Sequence, residues 1–168
     1  MKKIQKETKH NITDLQIQNQ VQMEITTNYE RYYRLAYSYV KNDADAMDIV
    51  QEGAYKAILN SSSVREPAFI PTWIYRIMIN EALHYIKKYK KPYVELELVT
   101  ESSQDSYQDF DLQVALENLE EPDKTIVKLR FFEDLQLNQI AEIIDENVNT
   151  VKSRLYRSMK KLRILMEE

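Results

Sequence analysis

Asn149, Thr150, Ser153, Arg157 and Lys160 fall on one side of a single helix when the chain is stepped at about 100° per residue. Their amide, hydroxyl and guanidinium groups can hydrogen-bond base edges, and their cations can meet phosphates. Lys152, Arg154, Tyr156 and Lys161 flank that side, while Val151, Leu155, Met159 and Leu162 make an apolar seam opposite. No acid occurs between Asn149 and Met166, so Lys152, Arg154, Arg157, Lys160, Lys161 and Arg163 stand uncompensated in a chain of net charge −4. A solvated face ordinarily mixes signs. This one does not, and an all-cationic face points to a polyanion as partner.

The elements that must position this face lie immediately upstream. Residues 137–144 (LNQIAEII) have the apolar spacing of a short helix, 145–148 supply turn formers, and Asn147 or Asn149 can cap the helix that follows. The pair reads as a helix-turn-helix. A further helix is expected over 123–132 (DKTIVKLRFF), with Ile126, Leu129, Ile140, Val151 and Leu155 as core.

Composition bounds the rest. One glycine in 168 residues argues against β-rich and phosphate-loop folds, so the expected class is all-α. There is no cysteine, and the two histidines, His10 and His84, lie far apart, leaving no zinc site and no disulfide framework. No cofactor and no metal are expected. An enzyme is disfavoured too, because no His, Cys or paired-carboxylate set suggests a cleft. The sequence lacks an apolar run of about eighteen residues and a signal peptide, so a cytoplasmic protein without membrane insertion is expected.

Charge also divides the chain. Residues 93–123 carry ten acids and no Lys or Arg, and 100–108 (TESSQDSYQ) has too little apolar surface to pack. Residues 92–108 therefore read as a flexible acidic linker between a helical domain over 23–91 and a second over 109–168. Residues 1–22 are rich in Lys and Gln without a dense apolar face, and are expected to be disordered. Three helices are expected in the first domain: 23–40, another capped by Asp43 and running to Leu59, and a third capped by Thr72 and running from Trp73 to Lys91.

On the second of these, Asp45, Asp48 and Glu52 share a face beside Gln51. An acidic stripe alone is usually a solvated face, and it is unsuited to DNA. The loop 60–71 (NSSSVREPAFIP) leads into the third helix, whose end carries Lys87, Lys88, Lys90 and Lys91; phosphate contact is the reading favoured by two basic helices in one chain.

Taken in order, residues 37–40 (YSYV), 45–52 (DAMDIVQE), 73–77 (WIYRI) with Asn80, 131–135 (FFEDL), 139–143 (QIAEI) and 149–157 (NTVKSRLYR) resemble the extracytoplasmic-function, or group 4, sigma factors of bacterial RNA polymerase. The likeness runs from Tyr29 to Leu162 and is greatest to the sigma-V-like members. It implies two helical domains, sigma2-like and sigma4-like, and a role in directing promoter-specific initiation in a cell-envelope stress response.

The resemblance also assigns partners. Asp45, Asp48, Gln51 and Glu52 would dock on the β′ clamp helices of core RNA polymerase. Ser61, Ser62, Ser63, Arg76 and Asn80 would capture an unpaired base of the −10 element, with Lys87 and Lys88 on phosphates. Asn149, Thr150, Ser153 and Arg157 would approach bases of the −35 element, and Lys152, Arg154 and Lys160 its phosphates. Leu162, Ile164 and Leu165 would meet the β flap. A membrane-bound anti-sigma factor is implied as inhibitor, and a monomer as the free form. The linker, at most about 55 Å long when extended, would have to be nearly stretched to span two turns of B-DNA at about 35 Å each. Two positions depart from the family pattern: Asp145 stands where a turn glycine is usual, and His84 where an acid is common. The alternative reading is a helix-turn-helix regulator that acts without docking on core polymerase.

Overall fold

The computed structural model describes residues 2–89, 112 and 114–167, with side chains from residue 13 to residue 166. Lys90, Lys91 and the acidic linker lie outside the described residues. The chain divides into two compact units, Met1–Lys91 and Pro92–Glu168. The described residues form helices and turns without a strand, so the all-α expectation holds.

The first unit contains α1 (Lys2–Thr27), α2 (Tyr29–Val40), α3 (Asp43–Leu59) and α4 (Ile70–Tyr89), with two short 3-10 turns, Ser61–Ser63 and Pro67–Phe69, between α3 and α4. Helices α2, α3 and α4 pack on one another in all three pairings. Tyr32, Val40, Ile49, Val50, Ile74 and Met78 are fully buried between them, and burial of each such side chain contributes roughly 1.5–3 kcal/mol. The sole glycine, Gly53, faces α4 so closely that a Cβ there would lie 2.5 Å from Met78 Sδ.

Several expectations for this unit are corrected. The leader expected to be disordered is helical over its described residues: α1 spans Lys2–Thr27 and buries Ile17, Val21 and Ile25 at i, i+4, i+8 spacing. Three apolar residues are enough when the surfaces of α3, α4 and the Ser61–Ser63 turn are there to receive them. The expected single helix over 23–40 breaks at Asn28, whose amide bonds back to Glu24. Asn42 rather than Asp43 caps α3, its Oδ1 accepting from Asp45 N at 2.9 Å. Asp43 instead accepts from the Tyr33 hydroxyl. Thr72 does not cap α4, because the Pro67–Phe69 turn runs straight into a helix that starts at Ile70; its hydroxyl donates to Phe69 O at 3.1 Å.

The second unit contains α5 (Asp123–Phe131), α6 (Leu137–Ile144) and α7 (Val148–Glu167), preceded by a helical turn over 114–117. All three helices pack mutually, with Ile126, Leu129, Ile140 and Val151 fully buried.

Candidate nucleic-acid and protein interfaces

Local signals fix the angle between α6 and α7. A reciprocal pair of side-chain bonds between Gln136 and Gln139 caps α6, including Gln136 N to Gln139 Oε1 at 2.9 Å. The helix closes on Asp145 in the left-handed region, φ 57°, so the aspartate does take the conformation that a glycine would adopt more easily. Of the two possible caps of α7, Asn147 is the one used, its Oδ1 accepting from Asn149 N at 2.8 Å.

The buried line of α7 is Val151, Leu155, Ser158 and Leu162. Ser158 thus occupies the place expected of Met159, which is 38% exposed, and its buried hydroxyl makes no hydrogen bond. With that line facing inward, Asn149, Thr150, Lys152, Ser153, Arg157 and Lys160 all face solvent, as a groove-reading helix requires. Ser153 Oγ donates to Asn149 O at 2.9 Å and Arg157 Nε to Ser153 O at 3.4 Å, so both rest against their own helix. Tyr156, 65% exposed, stands on the same side, three residues from Ser153 and four from Lys152 and Lys160. That spacing could have found it.

Arg154 is not part of this outward set. Its Nη1 donates to Asp123 Oδ1 at 2.9 Å and its Nε to Glu146 Oε2 at 3.1 Å. The guanidinium fork therefore ties α7 to the start of α5 and to the turn, which corrects its assignment to phosphate. Leu162 is likewise core rather than surface; of the three residues assigned to the flap, Ile164 is exposed and Leu165 half-buried.

In the first unit, the stripe on α3 is partly tied down. Asp45 is half-buried and its Oδ1 accepts from the Tyr85 hydroxyl of α4 at 2.7 Å. That hydrogen bond, with burial and the Asp45 charge behind it, pushes the Tyr85 phenol up to about 12. Asp48, Gln51 and Glu52 are exposed. Glu52 reaches Lys56 Nζ at 3.3 Å, and Lys56 also binds Glu81 of α4 at 2.8 Å, so this cation joins the stripe to the neighbouring helix. Along the stripe runs an apolar margin not foreseen from composition: Met47, Tyr55 and Leu59, each exposed, at i, i+8 and i+12.

The loop assignments divide. Ser61 is buried, 5% exposed, because α1 packs over the Ser61–Ser63 turn; it cannot face a base, which corrects its assignment. Ser62 and Ser63 are exposed, with Ser63 Oγ donating to Asn60 O at 2.7 Å. Beyond the loop, Arg76, Asn80, His84 and Lys87 follow one another along the outer side of α4, all exposed, and Lys88 lies 4.9 Å over the Tyr89 ring. The buried line of α4, Ile70, Ile74, Tyr75, Met78, Ile79 and Ala82, leaves Trp73 and Ile77 half-exposed beside this row.

Among the described residues no cluster of His, Cys, Asp or Glu could hold a metal ion, and no helix is long and apolar enough to cross a membrane. What the fold and its surfaces define is a two-unit helical protein whose second unit carries a helix-turn-helix with an exposed cationic face. Comparison with known proteins narrows this. The model of the family Sigma-70 region 2 matches residues 25–91, and that of Sigma-70, region 4 matches residues 109–162. The chain is 48% identical over 144 residues to "RNA polymerase sigma factor SigV" of Bacillus subtilis (strain 168), covering 83% of this chain and 87% of that one. To "ECF RNA polymerase sigma factor SigW" of the same organism it is 31% identical over 154 residues, 80% of this chain and 82% of the other. The chain belongs to the sigma-70 family of RNA polymerase initiation factors, in its extracytoplasmic-function group.

Solved structures share the fold. CnrH in complex with the cytosolic domain of CnrY superposes with a TM-score of 0.71 at 16% identity, over 93% of this chain and 96% of that one. The sigma factor RpoE in complex with the anti-sigma factor NepR from Bartonella quintana gives 0.70 at 20% identity, over 87% and 96%.

Proposed function

We propose that the outer edge of α3 binds core RNA polymerase and that the chain then reads a promoter at two points. Asp48, Gln51 and Glu52, with Asp45 held from behind by Tyr85, would meet Arg and Lys side chains of the β′ clamp helices, and the Met47, Tyr55 and Leu59 margin would cover the desolvated part of the contact. Helix α7 would enter the major groove of the −35 element with Asn149, Thr150, Ser153 and Arg157 toward bases, and Lys152 and Lys160 toward phosphates. Ser62, Ser63, Arg76 and Asn80 would hold an unpaired base of the −10 element, with Lys87 and Lys88 on its backbone. Ile164 and Leu165 would meet the β flap.

The observation that carries this reading is the segregation of charge. The recognition helix has no acid from Asn149 to Met166, while an exposed edge of the other unit is acidic. A protein that bound DNA alone would gain nothing from the second surface. Of the two structural relatives, RpoE is bound to the anti-sigma factor NepR and CnrH to the cytosolic domain of CnrY. We infer that this chain too is held inactive by an anti-sigma factor, a membrane-bound one, and that it works in the cytoplasm, is monomeric when released, and serves a cell-envelope stress response.

The test is gel filtration of the purified chain with core polymerase in the absence of DNA, followed by run-off transcription. Co-elution and promoter-dependent transcripts are expected. Duplex binding without co-elution would return the chain to the class of regulators that act without docking.

A further inference from the structure

Helix α1, most of which precedes the family match, packs against the turn assigned to base capture. The match begins at residue 25, whereas α1 begins at Lys2. Ile17 and Val21 are buried, at 8% and 0% exposure, on the line that Ile25 continues. Helix α1 packs against the Ser61–Ser63 turn as well as against α3 and α4. At its other end α1 is pinned to α2: Glu24 Oε1 accepts from the buried Tyr32 hydroxyl at 3.0 Å and from Asn28 Nδ2 at 2.9 Å. Burial, reinforced by the Glu24 charge and hydrogen bond, holds the Tyr32 phenol protonated far above its ordinary range.

We propose that α1 is a positioning element for promoter opening: Ile17 and Val21 seat the helix against the Ser61–Ser63 turn, so that Ser62 and Ser63 are presented at a fixed height for the unpaired base. The inference rests on the reading that this turn and Asn80 hold such a base. The physical logic is that a three-residue 3-10 turn has poor hydrogen-bond geometry of its own. Among the described residues its internal ties are Ser63 N to Asn60 O and Val64 N to Ser61 O, at 2.9 and 3.1 Å, and the Ser63 hydroxyl on Asn60 O. Ser61 is buried, and α1 packs on the turn that contains it. A pocket that must offset an unpairing cost of a few kcal/mol works only if its groups are held before the base arrives.

The experiment uses the full chain bound to core polymerase, with Ile17→Ala, Ile17→Val and Asn80→Ala compared on a duplex promoter and on the same promoter with a premelted −10 bubble. Ile17→Ala is expected to slow open-complex formation on the duplex about tenfold and on the bubble less than about twofold, because only the duplex draws on pocket contacts to unpair. Ile17→Val should restore most of the rate, core binding should be unchanged, and discrimination between bases at the captured position should narrow with Ile17→Ala. Equal loss on both templates, or a lower melting temperature with an unchanged duplex-to-bubble ratio, would make Ile17 an ordinary core residue and overturn the proposal. If Asn80→Ala also shows no template difference, the base-capture reading falls and this inference with it; if Asn80→Ala shows the difference and Ile17→Ala does not, only the role of α1 falls.

Discussion

Arg154 Nη1 stands 2.9 Å from Asp123 Oδ1, a bond between residues 31 apart in sequence that closes the helix-turn-helix onto the helix before it. With Glu146 on the same guanidinium, the contact fixes the tilt of α7 through a planar fork that lysine cannot reproduce. Arg154→Ala is expected to lower the stability of the second unit by about 1–2 kcal/mol, the pair being partly screened. Arg154→Lys should recover less than half of it. The salt dependence of promoter binding should separate this residue from its neighbours. Lys152→Ala or Lys160→Ala should each reduce the slope of log affinity against log salt by about 1, and Arg154→Ala should leave it near the parent value. A reduced slope for Arg154→Ala would return the residue to the phosphates.

Ser158 should be replaceable with gain. Its hydroxyl is buried in line with Leu155 and Leu162 and makes no hydrogen bond. Ser158→Ala removes an unsatisfied polar group and has the higher helix propensity, so the unit should gain about 0.5–1.5 kcal/mol. Urea denaturation followed by circular dichroism measures this; a loss of stability would mean that the hydroxyl finds a partner.

Tyr85 links alkaline pH to the first unit. Its phenol ionises at about 12 when hydrogen-bonded to Asp45, against 10.0 for the free side chain. A raised value means that the protonated form is favoured by folding, so the contact's stabilisation is complete below pH 10 and fades as pH rises from 10 to 12. In a spectrophotometric titration, Asp45→Asn should bring one tyrosine back toward its ordinary range. Tyr33 is also pushed up to about 12, by its hydrogen bond to Asp43, and should titrate late in that variant too.

Asp48→Arg tests the acidic edge without touching the core, because Asp48 is exposed midway along α3. Affinity for core polymerase should fall about tenfold or more at low salt, and less at high salt, with helicity unchanged. Unaltered binding at both salt concentrations would remove this face from the interface.

The recognition helix was legible in the sequence because its signal is local: an acid-free stretch with a 3.6-residue apolar period needs no knowledge of neighbours. The same period was misread by one residue at Met159, since a serine in the core line is invisible to a rule that counts apolar positions. Arg154 could not be told from Lys152, because Asp123 and Glu146 become its partners only through folding. Helix α1 was missed for a related reason: Ile17, Val21 and Ile25 look sparse until the surfaces that receive them exist. At α3, Asn42 and Asp43 are both good caps, and only the backbone chooses between them. The acidic stripe itself was visible, whereas Tyr85 behind Asp45 lies 40 residues away and was not.

Gly53 sets a dimension. With a Cβ at that position only 2.5 Å from Met78 Sδ, any side chain would displace the Met78 thioether that now rests on the bare backbone of α3. The acidic edge belongs to α3 and the row from Arg76 to Lys87 to α4, so the two working edges are registered against each other by the thickness of one sulfur atom on bare backbone. In a machinist's terms the glycine is a shim of zero thickness: it carries no chemistry, yet it sets the offset at which one edge can be seated while the other is in reach of its own target.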